Sequence, residues 1–154
     1  MEREESHLEN WRQAFKEEEL LEYAAKCYGV EPEAIRKLGG FENIVYKFTR
    51  RGEPYILRVT HDSRRSTSEI EAELDWVHDL AERGVSVARP IHSDRGTLLE
   101  TIGTKQGTFL LSVCEEAPGG RVDAKHPAWG PDLFAEWGFV TGQMHACARE
   151  DDHR

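Results

Sequence analysis

Two short apolar runs joined by a tight turn, with one arginine set inside the second, constrain this chain more than any other feature. In the run from Asn43 to Thr49, Ile44, Tyr46 and Phe48 face one way and Val45 and Lys47 the other, the alternation of a half-buried strand. Arg50-Arg51-Gly52-Glu53-Pro54 is hairpin chemistry. On the returning strand Tyr55, Leu57 and Val59 share one side, and Ile56 and Arg58 the other. A lone arginine of this kind, taken by itself, reads as a solvated edge position.

The helix that follows changes that reading. Ser66…Glu69 and Ser68…Glu71 both fit a capping box, and Gly84 closes the segment. Ile70, Leu74, Val77 and Ala81 recur at helical spacing and define the face turned to the core. At about 100° per residue, Glu73 falls inside that stripe, between Leu80 and Val77, whereas Glu71 falls on the polar side. A carboxylate on an apolar face needs a partner, because an unpaired buried charge is costly. Arg58, from the preceding strand, is the partner on offer.

Upstream, residues from about Glu5 to Tyr28 are helical in pattern, as two short helices or one broken helix. Leu8, Trp11 and Phe15 share one stripe, and Leu20, Leu21, Ala24 and Tyr28 another. Gly29 is placed as a C-cap and Pro32 as a stop. We expect this segment to pack on its own domain rather than serve as a partner-binding element. Downstream, Val85, Val87 and Pro90-Ile91 lead into a short strand, Thr97 to Ile102 form a second, and Thr108 to Cys114 form a long apolar one. Glu115-Glu116-Ala117-Pro118-Gly119-Gly120 then breaks the pattern as a linker. Pro131 opens a last helix, on which Leu133, Trp137, Val140 and Met144 align and Gly138 and Gly142 allow close approach.

Composition narrows the function classes. The 154 residues are enough for one domain with a real core, and 38% hydrophobic against 32% charged residues suits a globular chain. A formal net charge of −9 argues against nucleic acid as a partner. No apolar run approaches the ~20 residues of a membrane span, and Met1-Glu2-Arg3-Glu4-Glu5 does not begin a signal peptide, so a cytoplasmic location is expected. Cys27, Cys114 and Cys147 stand far apart, and the seven histidines show no metal-ligand spacing, so neither a disulfide framework nor a protein-held metal is expected.

The order of parts suggests a use. A glycine turn at Gly39-Gly40 precedes a strand, then a hairpin, an inward cation and a helix with an inward carboxylate. No P-loop and no dinucleotide fingerprint is present. A glycine turn can bring backbone N–H groups to phosphate oxygens, a cation can meet the phosphates, and the carboxylate can orient it. The apolar strand ending at the Pro118-Gly119 linker offers backbone groups to an adenine edge.

Several stretches together resemble the N-terminal lobe of the aminoglycoside phosphotransferase and choline kinase-like family, relatives of the protein kinases. They are Gly39-Gly40-Phe41-Glu42-Asn43-Ile44-Val45-Tyr46-Lys47, Tyr55-Ile56-Leu57-Arg58-Val59, Ile70-Glu71-Ala72-Glu73, Val87-Ala88-Arg89-Pro90, Phe109-Leu110-Leu111-Ser112 and Gly142-Gln143-Met144-His145. The resemblance implies that Gly39, Gly40, Phe41, Glu42 and Asn43 cover phosphates, that Arg58 binds them and that Glu73 orients Arg58. It also implies that Val45 and Ile56 line the nucleotide face and that Ser112, Val113 and Cys114 begin a hinge beside adenine. ATP is the implied nucleotide, with Mg2+ only when a C-terminal lobe is present.

The chain departs from the family twice. Arg58 stands where better-known members carry lysine, and arginine is bulkier but can pair in two-pronged fashion. No H-G-D-x-x-x-x-N loop is present, and neither His61-Asp62 nor His145-Ala146-Cys147 matches it. No catalytic residue is therefore assigned.

The expected fold is α+β, a five-stranded mainly antiparallel sheet with one packed helix, flanked by N-terminal helices and a C-terminal helix. Residues 1–30 form the N-terminal helical segment, 31–117 the kinase-like lobe, 118–130 the linker and 131–154 the first helix of a truncated second lobe. The expected function is the ATP-binding lobe of a kinase acting on a small-molecule hydroxyl or amine, incapable of transfer by itself. Three origins compete: a piece of a larger kinase, a product acting with a separate second lobe, and a lobe kept only for binding. The expected partners are nucleotide and, through the 131–149 helix, the missing lobe or a second copy. The rival class is a non-catalytic interaction module in which Arg58 and Glu73 are only a structural pair.

Overall fold

A computed structural model describes residues 16–40, 43–105 and 107–151. The Leu8, Trp11 and Phe15 stripe lies outside the described residues. Helix α1 spans Glu17–Tyr28 and ends at Gly29, whose φ of 62° lets its N–H reach the Ala25 carbonyl. A 3-10 turn at Pro32–Ala34 leads into β1, Arg36–Gly39. Strands β2 (Ile44–Arg50) and β3 (Glu53–His61) form the hairpin, α2 spans Thr67–Glu82, and β4 (Leu99–Thr104) and β5 (Gly107–Glu115) form a second hairpin. Helix α3 covers Pro131–Asp151. Among the described residues no helix is long and apolar enough to cross a membrane.

The five strands form one sheet in the order β1-β2-β3-β5-β4, with each neighbouring pair antiparallel. The expected sheet is present, but its members differ in one respect. The 85–91 segment is no strand: its β-pairing with the sheet is a single bridge, Pro90 to Cys114, with the Ile91 N–H on the Val113 carbonyl at 2.9 Å. Proline has no N–H to continue a ladder, which explains the stop. The fifth strand is instead β1, mostly exposed and so without the apolar alternation that would reveal it.

Register assigns each strand two roles. Tyr46, Leu57 and Val113 stand opposite one another, as do Ile44, Val59 and Leu111. Their face packs against Leu20, Ala24, Cys27 and Tyr28 of α1 in the main core. Thus α1 serves its own domain, as expected. On the opposite face Ile70 and Leu74 of α2 meet Leu110, with Leu98 and Leu99 packed beside them. The Ser66–Glu69 capping box forms, with the Ser66 N–H on Glu69 at 2.8 Å and the Glu69 N–H on the Ser66 hydroxyl at 3.3 Å. It fixes where α2 begins, and therefore where Glu73 points. The rest of this second face is half-buried along Val45, Lys47, Ile56, Arg58 and Cys114.

Candidate functional site

This half-buried face carries the candidate site. Val45, Arg58 and Ser112 lie across β2, β3 and β5 in one row, and Lys47, Ile56 and Cys114 in the next. Because side chains alternate along a strand, these six project to the side away from α1. Ser112 is buried and the other five are half-buried. The result is a shallow, partly apolar floor with one guanidinium near its centre.

Arg58 meets the carboxylate that the helical periodicity assigns to it. Its Nη2 donates to Glu73 Oε1 at 2.8 Å, and both side chains are about 70% shielded from solvent, at 29% and 30% exposure. Glu73 therefore sits at the margin of the α2 core stripe, where the partner is reachable. A second arginine completes the arrangement: Arg65 Nη1 holds Glu73 Oε2, and Arg65 Nη2 donates to the Glu69 carbonyl at 3.3 Å. Burial alone would raise the Glu73 carboxyl, but the bonds from Arg65 and Arg58 outweigh it and hold it below its ordinary value.

The glycine turn leads onto this face. Gly39 ends β1 with a φ of 126°, and Gly40 follows with a φ of 130°. A side chain at Gly40 would place its Cβ 1.9 Å from the Asn43 carbonyl oxygen, so only glycine fits the turn. Phe41 and Glu42 lie outside the described residues. Asn43 is tied down: Thr60 Oγ1 donates to its Oδ1 at 2.8 Å, from a position on β3 two residues beyond Arg58.

At the other end, β5 passes into the 116–119 segment beside a cleft of about 650 Å³ between Lys47, Pro54 and Glu116–Gly119. Lys47 Nζ pairs with Glu116 at 2.6 Å across it. The Glu115 N–H donates to the Arg89 carbonyl at 2.9 Å and the Glu116 N–H to the Pro54 carbonyl at 3.1 Å. Burial raises the Cys114 thiol, so it stays protonated at neutral pH.

The structure thus brings together Val45, Ile56, Arg58, Glu73, Ser112 and Cys114, with Asn43 at the edge. Val113 is different: its side chain is buried in the main core on the opposite face, so only its backbone lies near the hinge. Sequence reasoning missed Arg65, Thr60 and the Lys47–Glu116 pair. A carboxylate has two oxygens to satisfy, and that count signals a second cation near Glu73. Parity along β3 places Thr60 on the face of Arg58. Among the described residues no group of three or more His, Cys, Asp or Glu side chains could hold a metal ion.

Known proteins share this arrangement of elements. The profile of the phosphotransferase enzyme family matches residues 34–154. Amicoumacin kinase of Bacillus subtilis (strain 168) is 40% identical over 139 residues, which cover 90% of this chain and 41% of that protein. The solved structure of amicoumacin kinase hAmiN in complex with AMP-PNP, Ca2+ and Ami superposes with a TM-score of 0.83 at 39% identity, over 90% of this chain and 41% of that one. The microcompartment-associated aminopropanol kinase superposes with a TM-score of 0.65 at 25% identity, over 82% of this chain and 39% of that one. The chain therefore spans about 41% of the length of the amicoumacin kinases it matches. A family match over residues 34–154, joined to this sheet, means that the chain belongs to the phosphotransferase enzyme family.

Proposed function

We propose that this chain is the ATP-binding lobe of a small-molecule kinase, with the acceptor and the catalytic groups supplied by a second lobe. The observation that carries the reading is the Arg58–Glu73 pair, set near the centre of the half-buried sheet face that the Gly39-Gly40 turn leads onto. Arg58 binds phosphate oxygens, Glu73 keeps its guanidinium aimed along the face, and Val45 and Ile56 give the adenine ring an apolar surface. Backbone groups where β5 passes into the 115–119 segment meet the adenine edge. The glycine turn brings N–H groups over the phosphates at a spacing no larger residue permits.

The relatives support a kinase of small molecules, since one is named for amicoumacin and another for aminopropanol. An acceptor hydroxyl or amine is the corresponding reading here. A bound Mg2+ would neutralise phosphate charge during transfer, and among the described residues no group of three or more His, Cys, Asp or Glu side chains could hold it. Exposed Trp129, Phe134 and Trp137 on and before α3 suit a surface that meets a second lobe or a second copy. That exposure also favours the alternative of a non-catalytic interaction module. Titration calorimetry with ATP separates the two: binding weakened by both Arg58→Ala and Glu73→Ala supports the lobe, and a folded chain that ignores ATP supports the module.

A further inference from the structure

Arg65 is a strong cation beside the site whose place the nucleotide-binding reading leaves unexplained. It lies immediately before the Ser66 cap, in the turn between β3 and α2. Its side-chain hydrogen bonds go to α2: the Glu73 carboxylate and the Glu69 carbonyl in the first turn. Arg65 therefore belongs to the helix, whereas Arg58 belongs to the sheet.

The division of Glu73 between them has a chemical consequence. Arginine and carboxylate ordinarily prefer a two-pronged pair, in which both oxygens take N–H groups from one guanidinium. Here Arg58 reaches Oε1 with Nη2, while Arg65 holds Oε2. A guanidinium has five N–H donors in a fixed fork. Denied the second oxygen, Arg58 keeps donors unspent. The three side chains together carry two positive charges against one negative, an excess that suits an anion.

We propose that Arg65 is a positioning residue for Arg58: by occupying Glu73 Oε2 it prevents a closed two-pronged Arg58–Glu73 pair and leaves the Arg58 fork open to nucleotide phosphates. This rests on the reading of Arg58 as the phosphate-binding cation. The Arg65 side chain is 41% exposed, so its pairing contributes little to stability in water and its effect is one of orientation.

Calorimetric titration of the 154-residue chain with ATP and, in parallel, with adenosine tests this. Arg65→Ala is expected to weaken ATP about ten-fold while adenosine affinity and the thermal midpoint stay unchanged. Arg65→Lys, which still offers a cation to Oε2, is expected to recover most of the loss. On a Glu73→Gln background the Arg65→Ala change is expected to cost nothing further, since both act through one contact.

An equal loss for adenosine would make Arg65 merely structural and overturn the proposal. So would an additive loss on the Glu73→Gln background, which would mean that Arg65 meets the phosphates itself. ATP binding that responds to Arg58→Ala but not to Arg65→Ala removes this proposal and leaves the nucleotide reading standing. Absence of ATP binding by the folded chain removes both.

Discussion

Thr60 holds Asn43: its hydroxyl donates across 2.8 Å to the amide oxygen that ends the glycine turn, from a side chain only 2% exposed. The bond joins the turn to the strand that carries Arg58. Replacing Thr60 by valine keeps the volume and removes the donor, at about 0.5–1.5 kcal/mol for one neutral hydrogen bond. Nucleotide affinity is expected to fall several-fold in calorimetry. Amide exchange at Asn43 and Ile44 should speed up while Leu57 and Val59 stay protected.

The two glycines are not equivalent. Both have positive φ, yet an added Cβ at Gly39 meets nothing within 4 Å and one at Gly40 strikes the Asn43 carbonyl. Gly40→Ala should therefore be the worse change, costing about 1–3 kcal/mol of backbone strain. Parallel urea titrations and ATP titrations of both variants check the order. Equal effects would mean that the turn relaxes freely.

Acid should weaken the Arg58–Glu73–Arg65 triad in a defined window. The Glu73 carboxyl lies below its ordinary 4.5 because the two arginine bonds outweigh burial. A carboxyl lowered by folding adds stability that is complete above its unfolded value and disappears as pH falls through its folded one. Unfolding free energy measured from pH 7 to pH 3 should fall less steeply for Glu73→Gln than for the parent chain. The two curves should converge at the acid end.

Glu100 makes a separate prediction, about stability alone. It is 5% exposed and accepts from Ser93 at 2.6 Å, Thr97 at 2.9 Å, Tyr23 at 3.1 Å and Arg95 at 3.3 Å. These bonds tie α1 to the start of β4. Glu100→Ala orphans several donors at once and should cost about 2 kcal/mol or more, a fall of roughly 4–8 °C in Tm. ATP affinity of the folded variant should not change.

The aromatic cluster on α3 predicts association. Trp129 and Phe134 meet edge to face at 5.3 Å and Trp137 closes the group, yet Phe134 and Trp137 remain 45% and 56% exposed. A patch of this kind, on a helix that also leaves Phe139 63% exposed, drives contact with another apolar surface. Sedimentation of the isolated chain should show concentration-dependent self-association that Phe134→Ser with Trp137→Ser abolishes.

What the sequence revealed followed from periodicity. Alternation over 44–59 gave the central hairpin, and the α2 stripe gave the Arg58–Glu73 pair, because a carboxylate among apolar positions must be answered. Strand β1 was illegible because its exposed residues carry no alternation, and its one strand neighbour in the sheet is β2. The 85–91 run was apolar enough for a strand, but Pro90 withholds the donor that a ladder needs. Arg65 stayed hidden for a different reason: it sits in a turn, where no period predicts direction, and only the geometry of the Ser66 cap aims it at Glu73.

The strand order has a consequence for how the molecule assembles. β1, β2 and β3 are consecutive, as are β4 and β5, so each group can form from nearby chain. The β3–β5 pairing must instead wait until α2 and the loop after it are gathered in, and Arg58 faces Ser112 across that junction. The candidate site straddles a seam between two local folding units. A nucleotide lying across Val45, Arg58 and Ser112 would act as a staple on the last joint to close, and its binding would be repaid as resistance to the joint reopening.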